Sequence, residues 1–220
     1  MMATLDVFTE ASRRNLNFII THEPTFYSHR DTLGILESEN DSVLAIKRKF
    51  IADHGLVIWR FHDTPHAMHP DMIRAGMVKA LGWERKAIDT TWITFDIAPT
   101  KVSDLRAFLA SRLSANAIRI AGNPSARVTR VALTEGFPGF PANRHAIQPG
   151  IDALIMGEDH EWEAIEYAND ALSEGRIKAL IVLGHIASEQ EGMREAAKWI
   201  ATFVKDVPVQ FVTTPPLLSY

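Results

Sequence analysis

Histidines and carboxylates gather just after short apolar runs in this chain. His22 and Glu23 follow the run 17–21; His62, Asp63 and His66 follow 56–61; Glu158, Asp159, His160 and Glu161 follow 153–156; and His185 and Glu189 follow 178–183. Ligands in α/β proteins bind outside the carboxyl ends of strands, so polar residues at those ends are the first candidates for chemistry. Imidazole and carboxylate together suit a hard or borderline cation such as Zn, Fe, Mn or Ni. The chain has no cysteine, so a transition metal here would be held by N and O donors alone.

Each cluster has a functional and a structural explanation. His22 and Glu23 are adjacent, so in an extended strand their side chains diverge; at a strand end that turns, both can reach one site. The alternative is a solvated loop. His62 and His66 flank Pro65, which stiffens their turn, and are read as ligands or substrate contacts. His69 and Asp71 are read as a surface residue and a helix N-cap. His185 and Glu189 stand at i and i+4, one face of a helix if a helix begins there. A competing arrangement has Ser188 as the cap with Glu191 three residues on, which still leaves His185 and Glu189 available to a metal. The acids at 158–161 suit a helix N-terminus on electrostatic grounds alone, yet Glu158 or His160 could serve as a general base.

The elements that would position these residues alternate between strand and helix, the pattern of an α/β fold. Helices are expected over 4–14, 41–52, 70–81, 102–113, 161–172 and 189–204. Strands are expected over 17–21, 56–61, 91–95, 117–121, 127–133, 153–156, 178–183 and 207–212, with 122–125 as a turn joining two of them and 135–141 as a Gly/Pro loop. The run 178–183 is almost wholly apolar, as for a strand covered on both faces. The pattern predicts one domain over 1–220, a two-lobed α/β/α sandwich with mixed sheets. Lobe one would take about 1–84 and 178–220, and lobe two about 85–177.

Composition narrows the functions. Of 220 residues, 46% are hydrophobic and 23% charged, with a net charge of −4. No basic stripe marks a nucleic-acid binder. No apolar run is long enough to span a membrane, and the first ten residues lack the basic and apolar regions of a signal peptide, so a cytoplasmic location is expected. The chain has no P-loop, no His-Glu-x-x-His and no Gly-x-Ser-x-Gly. A dinucleotide binder would need a glycine-rich turn after its first strand, where His22-Glu23-Pro24 stands instead.

In order along the chain, the stretch Phe18 to Phe26, the segment Phe61 to His66, Gly157-Glu158, and Gly184 to Met193 resemble the motifs of the Nif-three-like family, whose members are often labelled GTP cyclohydrolase 1 type 2 homologues. The likeness runs from about residue 4 to 213. It implies a dinuclear metal centre in a two-lobed α/β/α fold and assembly into a homo-oligomer, a hexameric ring. The family's His-His-Pro motif falls on His22-Glu23-Pro24, its His-x-x-x-Asp motif on His62 to His66, and its His-x-x-x-Glu motif on His185 and Glu189. Glu23 stands where the second His is usual and His66 where the Asp is usual. These exchanges preserve ligand number and charge and imply a retained centre with altered metal preference. On this reading His22, Glu23, His66, His185 and Glu189 hold two divalent ions, and His62, Glu158 and His160 handle protons or a small-molecule substrate. The activity would be that of a metal-dependent hydrolase acting on a nucleotide, phosphoester or cyclic amide; the alternative is a non-catalytic metal-binding scaffold or regulatory ring. The family also carries a strand and a Gly-Asp-type segment ahead of the first helix. This chain begins inside that region, and an exposed sheet edge is expected there.

Overall fold

The structure, a computed structural model, describes residues 1–218. The described residues divide into two compact units, 1–67 with 197–215, and 68–196 with 216–218.

The first unit opens on α1 (Leu5–Arg13), where the Thr4 hydroxyl accepts from the Val7 N–H and caps the helix. Val7, Phe8 and Ala11 form its buried stripe, at helical spacing. β1 (Phe18–Thr21) follows, then α2 (Gly34–Ser38) and α3 (Ser42–Asp53), whose cap Asp41 accepts from the Leu44 N–H. β2 (Val57–Arg60) then pairs in parallel with β1, Phe18 opposite Val57 and Thr21 opposite Arg60. A parallel pair needs a crossover, and α2 and α3 supply it. Ile19 and Ile58 are register partners and pack with Phe8, Ala11, Phe50 and Leu56. The short α4 (Asp63–His66) begins three residues after β2.

The second unit begins with α5 (Met72–Leu81), capped by Asp71, whose carboxylate accepts from the Ile73 and Arg74 N–H groups. Then come β3 (Thr94–Lys101), α6 (Val102–Leu113), β4 (Arg119–Gly122), β5 (Arg127–Leu133), α7 (Phe140–Ala146) and β6 (Ala153–Met156). A π-helical turn, Glu161–Ile165, leads into α8 (Glu166–Ser173), followed by β7 (Ala179–Val182) and α9 (His185–Ile200). The sheet order is β3-β5-β6-β7-β4; β5, β6 and β7 are parallel and both edge strands antiparallel. Alternate residues of the central strands go to opposite faces. Leu133, Ile155 and Ile181 join Met77, Leu81, Leu105 and Leu109 on one side; Ala132, Leu154, Met156 and Leu180 join Ile147, Ala168 and Ala171 on the other. α5 and α9 approach so closely that a Cβ on Gly76 would stand 2.4 Å from the Gly192 Cα.

The mixed α/β class is as the sequence pattern indicates, and several boundaries differ. β7 pairs with β6 and β4, so 178–196 belongs to the second unit, as does 68–84, and the lobe limits drawn from sequence move accordingly. Residues 117–121 and 127–133 do not form a hairpin: β4 lies at the edge beside β7, while β5 lies between β3 and β6. The turn at 122–125 therefore leads across the sheet. The first strand of the second unit starts at Thr94 rather than 91, because Asp89 accepts from the Thr91, Ile93 and Thr94 N–H groups and holds that stretch as a turn. α9 begins at His185, not 189, so Ser188 lies inside the first turn and is not its cap. Residues 207–212 form no strand. Among the described residues no helix is long and apolar enough to cross a membrane.

Candidate metal sites

In the first unit the chain turns immediately after β1. The Thr21 hydroxyl donates to the Glu23 carbonyl at 2.8 Å, and the Asp31 carboxylate holds the following loop by accepting from the Thr25 and Phe26 N–H groups. His22 is fully buried. Its Nδ1 lies 3.1 Å from the Phe61 carbonyl oxygen. A carbonyl only accepts, so Nδ1 carries the hydrogen and, in the neutral ring, Nε2 presents a lone pair. That Nε2 stands 3.1 Å from His66 Nε2. The His62 ring stacks on His22 with centroids 4.5 Å apart and planes at 25°. One nitrogen from each of His22, His62 and His66 lies within 4.8 Å of the others. His62 Nδ1 is 2.7 Å from Asp63 Oδ1, and its Nε2 is 3.8 Å from Glu23 Oε1. The imidazole beside it holds the Asp63 carboxyl below its ordinary range. The structure thus brings all four expected residues of this unit, His22, Glu23, His62 and His66, close to one another.

In the second unit the parallel strands β5, β6 and β7 end side by side, and backbone bonds stitch their ends. Glu158 N–H donates to the Gly136 carbonyl and Gly184 N–H to the Gly157 carbonyl, each at 2.8 Å. The Ser188 hydroxyl accepts from the Gly136 N–H at 2.9 Å and donates to the His185 carbonyl at 2.8 Å. On this frame His185 Nδ1 lies 2.8 Å from Glu158 Oε1 and His185 Nε2 lies 3.0 Å from Glu189 Oε2. With Nδ1–H given to one carboxylate, a neutral ring would aim its lone pair at the other. Such a contact calls for a positive charge between the two atoms, a proton or a metal ion. Gly136 forms the wall: its φ is +58°, and a Cβ there would stand 2.0 Å from Glu189 Oε1 and 3.4 Å from His185 Nε2. The donor types, the Nδ1 acceptors behind the rings and this glycine wall fit a divalent cation.

His160 belongs to a different set. It groups with Asp159 and Glu163, with Nδ1 2.9 Å from Glu163 Oε2. Asp159 is buried and accepts from the Asn143 amide, whose oxygen accepts from the Thr134 hydroxyl, both at 2.7 Å. One feature escapes sequence reading. Glu135, two residues after the end of β5, is buried and forms a two-pronged pair with Arg74 at 2.9 and 2.8 Å. Burial pushes its carboxyl above the ordinary range; the Arg74 charge opposes this without reversing it. Thr134-Glu135-Gly136 repeats the pattern of an acid beside a glycine seen at Gly157-Glu158, the signal that could have marked it.

Fold and donors together define a mixed α/β protein with histidine–carboxylate clusters, compatible with metal binding, at the carboxyl ends of its parallel strands. Residues 1–216 match the sequence profile of the DUF34/NIF3 family (NGG1p interacting factor 3), and the chain belongs to that family. No sequence match is found among curated proteins. Solved structures share the fold at low identity. Protein ybgI, of unknown function, is 21% identical with a TM-score of 0.72, covering 98% of this chain and 83% of that one. A Bacillus cereus protein related to NIF3 is 12% identical with a TM-score of 0.67, covering 96% and 88%. The Staphylococcus aureus hypothetical protein SA1388 is 17% identical with a TM-score of 0.66, covering 96% and 85%.

Proposed function

We propose that this chain is a cytoplasmic metal-dependent hydrolase with a dinuclear centre, acting on a nucleotide, phosphoester or cyclic amide. His22, Glu23 and His66 of the first unit and His185 and Glu189 of the second are its metal ligands. The observation that carries the reading is at His185: Nδ1 is committed to Glu158, and Nε2 is aimed at the Glu189 carboxylate 3.0 Å away. Two bound divalent ions, of Zn, Fe, Mn or Ni, would supply positive charge that polarises a substrate oxygen and lowers the pKa of water. The protein's own part is positional. The Phe61 carbonyl and Glu158 fix the tautomers of His22 and His185, so each presents Nε2. His62, between Asp63 and Glu23, is placed to take up or release a proton. Family likeness adds a homo-oligomer, a hexameric ring, as the working assembly.

A second reading, a non-catalytic metal-binding scaffold, is favoured by burial: His22 and Glu189 are 0% and 3% exposed, as in closed structural sites. Metal analysis of purified protein tests the shared part. The wild type is expected to carry divalent metal, and His185→Ala and His22→Ala to lose it; equal content in all three would overturn both readings. Turnover of metal-loaded protein across phosphoester, nucleotide and cyclic amide panels separates the enzyme from the scaffold.

A further inference from the structure

Trp162 is 69% exposed and Phe137 44%. Indole left to water has no folding benefit, so its placement asks for another cause. The Trp162 and His160 rings stack with centroids 4.3 Å apart and planes at 8°. Phe137 meets His160 edge-on at 5.0 Å, and Glu163 fixes the imidazole from its own side at 2.9 Å. Trp162 sits in the π-helical turn Glu161–Ile165, a strained helical form that recurs at functional sites. Three aromatic rings are therefore held in register on the surface before any ligand arrives. Phe137 directly follows Gly136, the wall beside Glu189, and His160 lies two residues after Glu158, the partner of His185. The stack flanks the same strand ends that carry the metal donors of this unit.

We propose that Phe137, His160 and Trp162 form a platform on which a planar nitrogen heterocycle of the ligand stacks. Aromatic faces take flat rings in offset or parallel stacks, and a side chain already fixed by its neighbours loses little freedom on binding. The surroundings select the ring's edge. The Glu161, Glu163 and Glu158 carboxylates are 75%, 41% and 46% exposed and pair with Arg119, His160 and His185 in turn. Each carboxylate keeps lone pairs beyond its own partner, and together they favour a ring that presents N–H donors over one that presents only acceptors. The inference deepens the proposed function by giving its substrate class. It rests on that reading only for what the ring is brought beside.

Calorimetric titration with guanosine, adenosine and cytidine, with ribose as the non-aromatic control, tests the platform. Guanosine, with adjacent N–H donors on one edge, is expected to bind most tightly and ribose not at all. Trp162→Ala is expected to weaken guanosine binding about 5- to 150-fold, the range for loss of one base–aromatic stack, and Trp162→Phe to recover part of it. Metal content, measured on the same samples, is expected to be unchanged, which separates this claim from the metal reading. Metal-loaded wild type that binds none of the nucleosides overturns the platform, as does a Trp162→Ala variant that binds guanosine as well as the wild type does. A change of mass by light scattering in Trp162→Ala, with guanosine binding intact, would assign the rings to a protein interface and also overturn it.

Discussion

Glu158 stands behind His185 as an orienting carboxylate: its Oε1 lies 2.8 Å from His185 Nδ1, while the opposite ring nitrogen faces Glu189 at 3.0 Å. His22 repeats the arrangement with a backbone group, its Nδ1 3.1 Å from the Phe61 carbonyl and its Nε2 3.1 Å from His66. Both rings are thereby turned so that the same nitrogen is presented. A carboxylate behind an imidazole also raises the basicity of the far nitrogen, which strengthens it as a ligand. On the proposed metal reading Glu158 would act through His185, a positioning role beside the general-base role its sequence position suggests.

Replacing Glu158 tests that role directly. Glu158→Ala is expected to weaken divalent-metal affinity by about 10- to 100-fold, the usual cost of losing an outer-shell partner. Glu158→Gln, whose amide oxygen can still accept from Nδ1–H, is expected to fall between the variant and the wild type. Competition with a calibrated chelator measures both. Identical affinities for all three proteins would remove Glu158 from the support of His185.

Gly136 carries a steric requirement. Its left-handed φ of +58° disfavours any side chain, and the added Cβ would lie 2.0 Å from Glu189 Oε1. Gly136→Ala is expected to displace Glu189, lower metal occupancy and cost roughly 1–3 kcal/mol of stability from overpacking and backbone strain. Metal content and urea denaturation read the two effects separately. Wild-type values in both would show that the loop yields without moving Glu189.

The frame of α9 depends on a backbone contact two turns beyond His185. A Cβ on Gly192 would stand 2.4 Å from the Ile73 Cα, so no side chain fits between α5 and α9 there. Alanine improves intrinsic helix propensity by up to about 1 kcal/mol, so an exposed glycine would gain from the change. Here Gly192→Ala is expected to destabilise by about 1–3 kcal/mol, because helix must move against helix in a packed interior. A thermal midpoint equal to or above that of the wild type would refute the close packing.

The donors were legible where an apolar run stops and a His or acid follows at once, because strand ends in parallel sheets face one edge. That logic places His22 and His66 together, and His185 beside Glu158 and Glu189. It assigned His160 to the same chemistry, yet His160 pairs with Glu163 and stacks on Trp162; the π-helical turn that sets this has no sequence period of its own. Strand partners were less legible than strands. A turn signal at 122–125 shows that the chain bends but not that β4 crosses to pair with β7, since pairing is decided by the whole sheet. The segment 207–212 has the alternating residues of a strand and does not form one. The pair Arg74–Glu135 was invisible because its members lie 61 positions apart.

Asp152 ties together the starts of three strands and makes stability depend on acid. Burial works to raise its pKa, but bonds from Lys178, from the Thr129 N–H and hydroxyl and from the Arg130 N–H outweigh it and lower the value from 3.8 to about 2. The folded value lies below the unfolded one. The stabilisation is therefore fully present above about pH 4 and is lost as pH falls toward 2. A shift of this size corresponds to about 2 kcal/mol at most, and solvent screening around the exposed Lys178 partner reduces the contribution toward about 1 kcal/mol. Asp152→Asn is expected to lose roughly that much at neutral pH, since an amide accepts on one side only: with its oxygen toward Thr129 and Arg130, its N–H groups would face the Lys178 ammonium. It is also expected to flatten the stability profile between pH 4 and 2. Urea denaturation of both proteins at several pH values across that window measures the difference, and parallel profiles would show that another carboxylate governs the acid response.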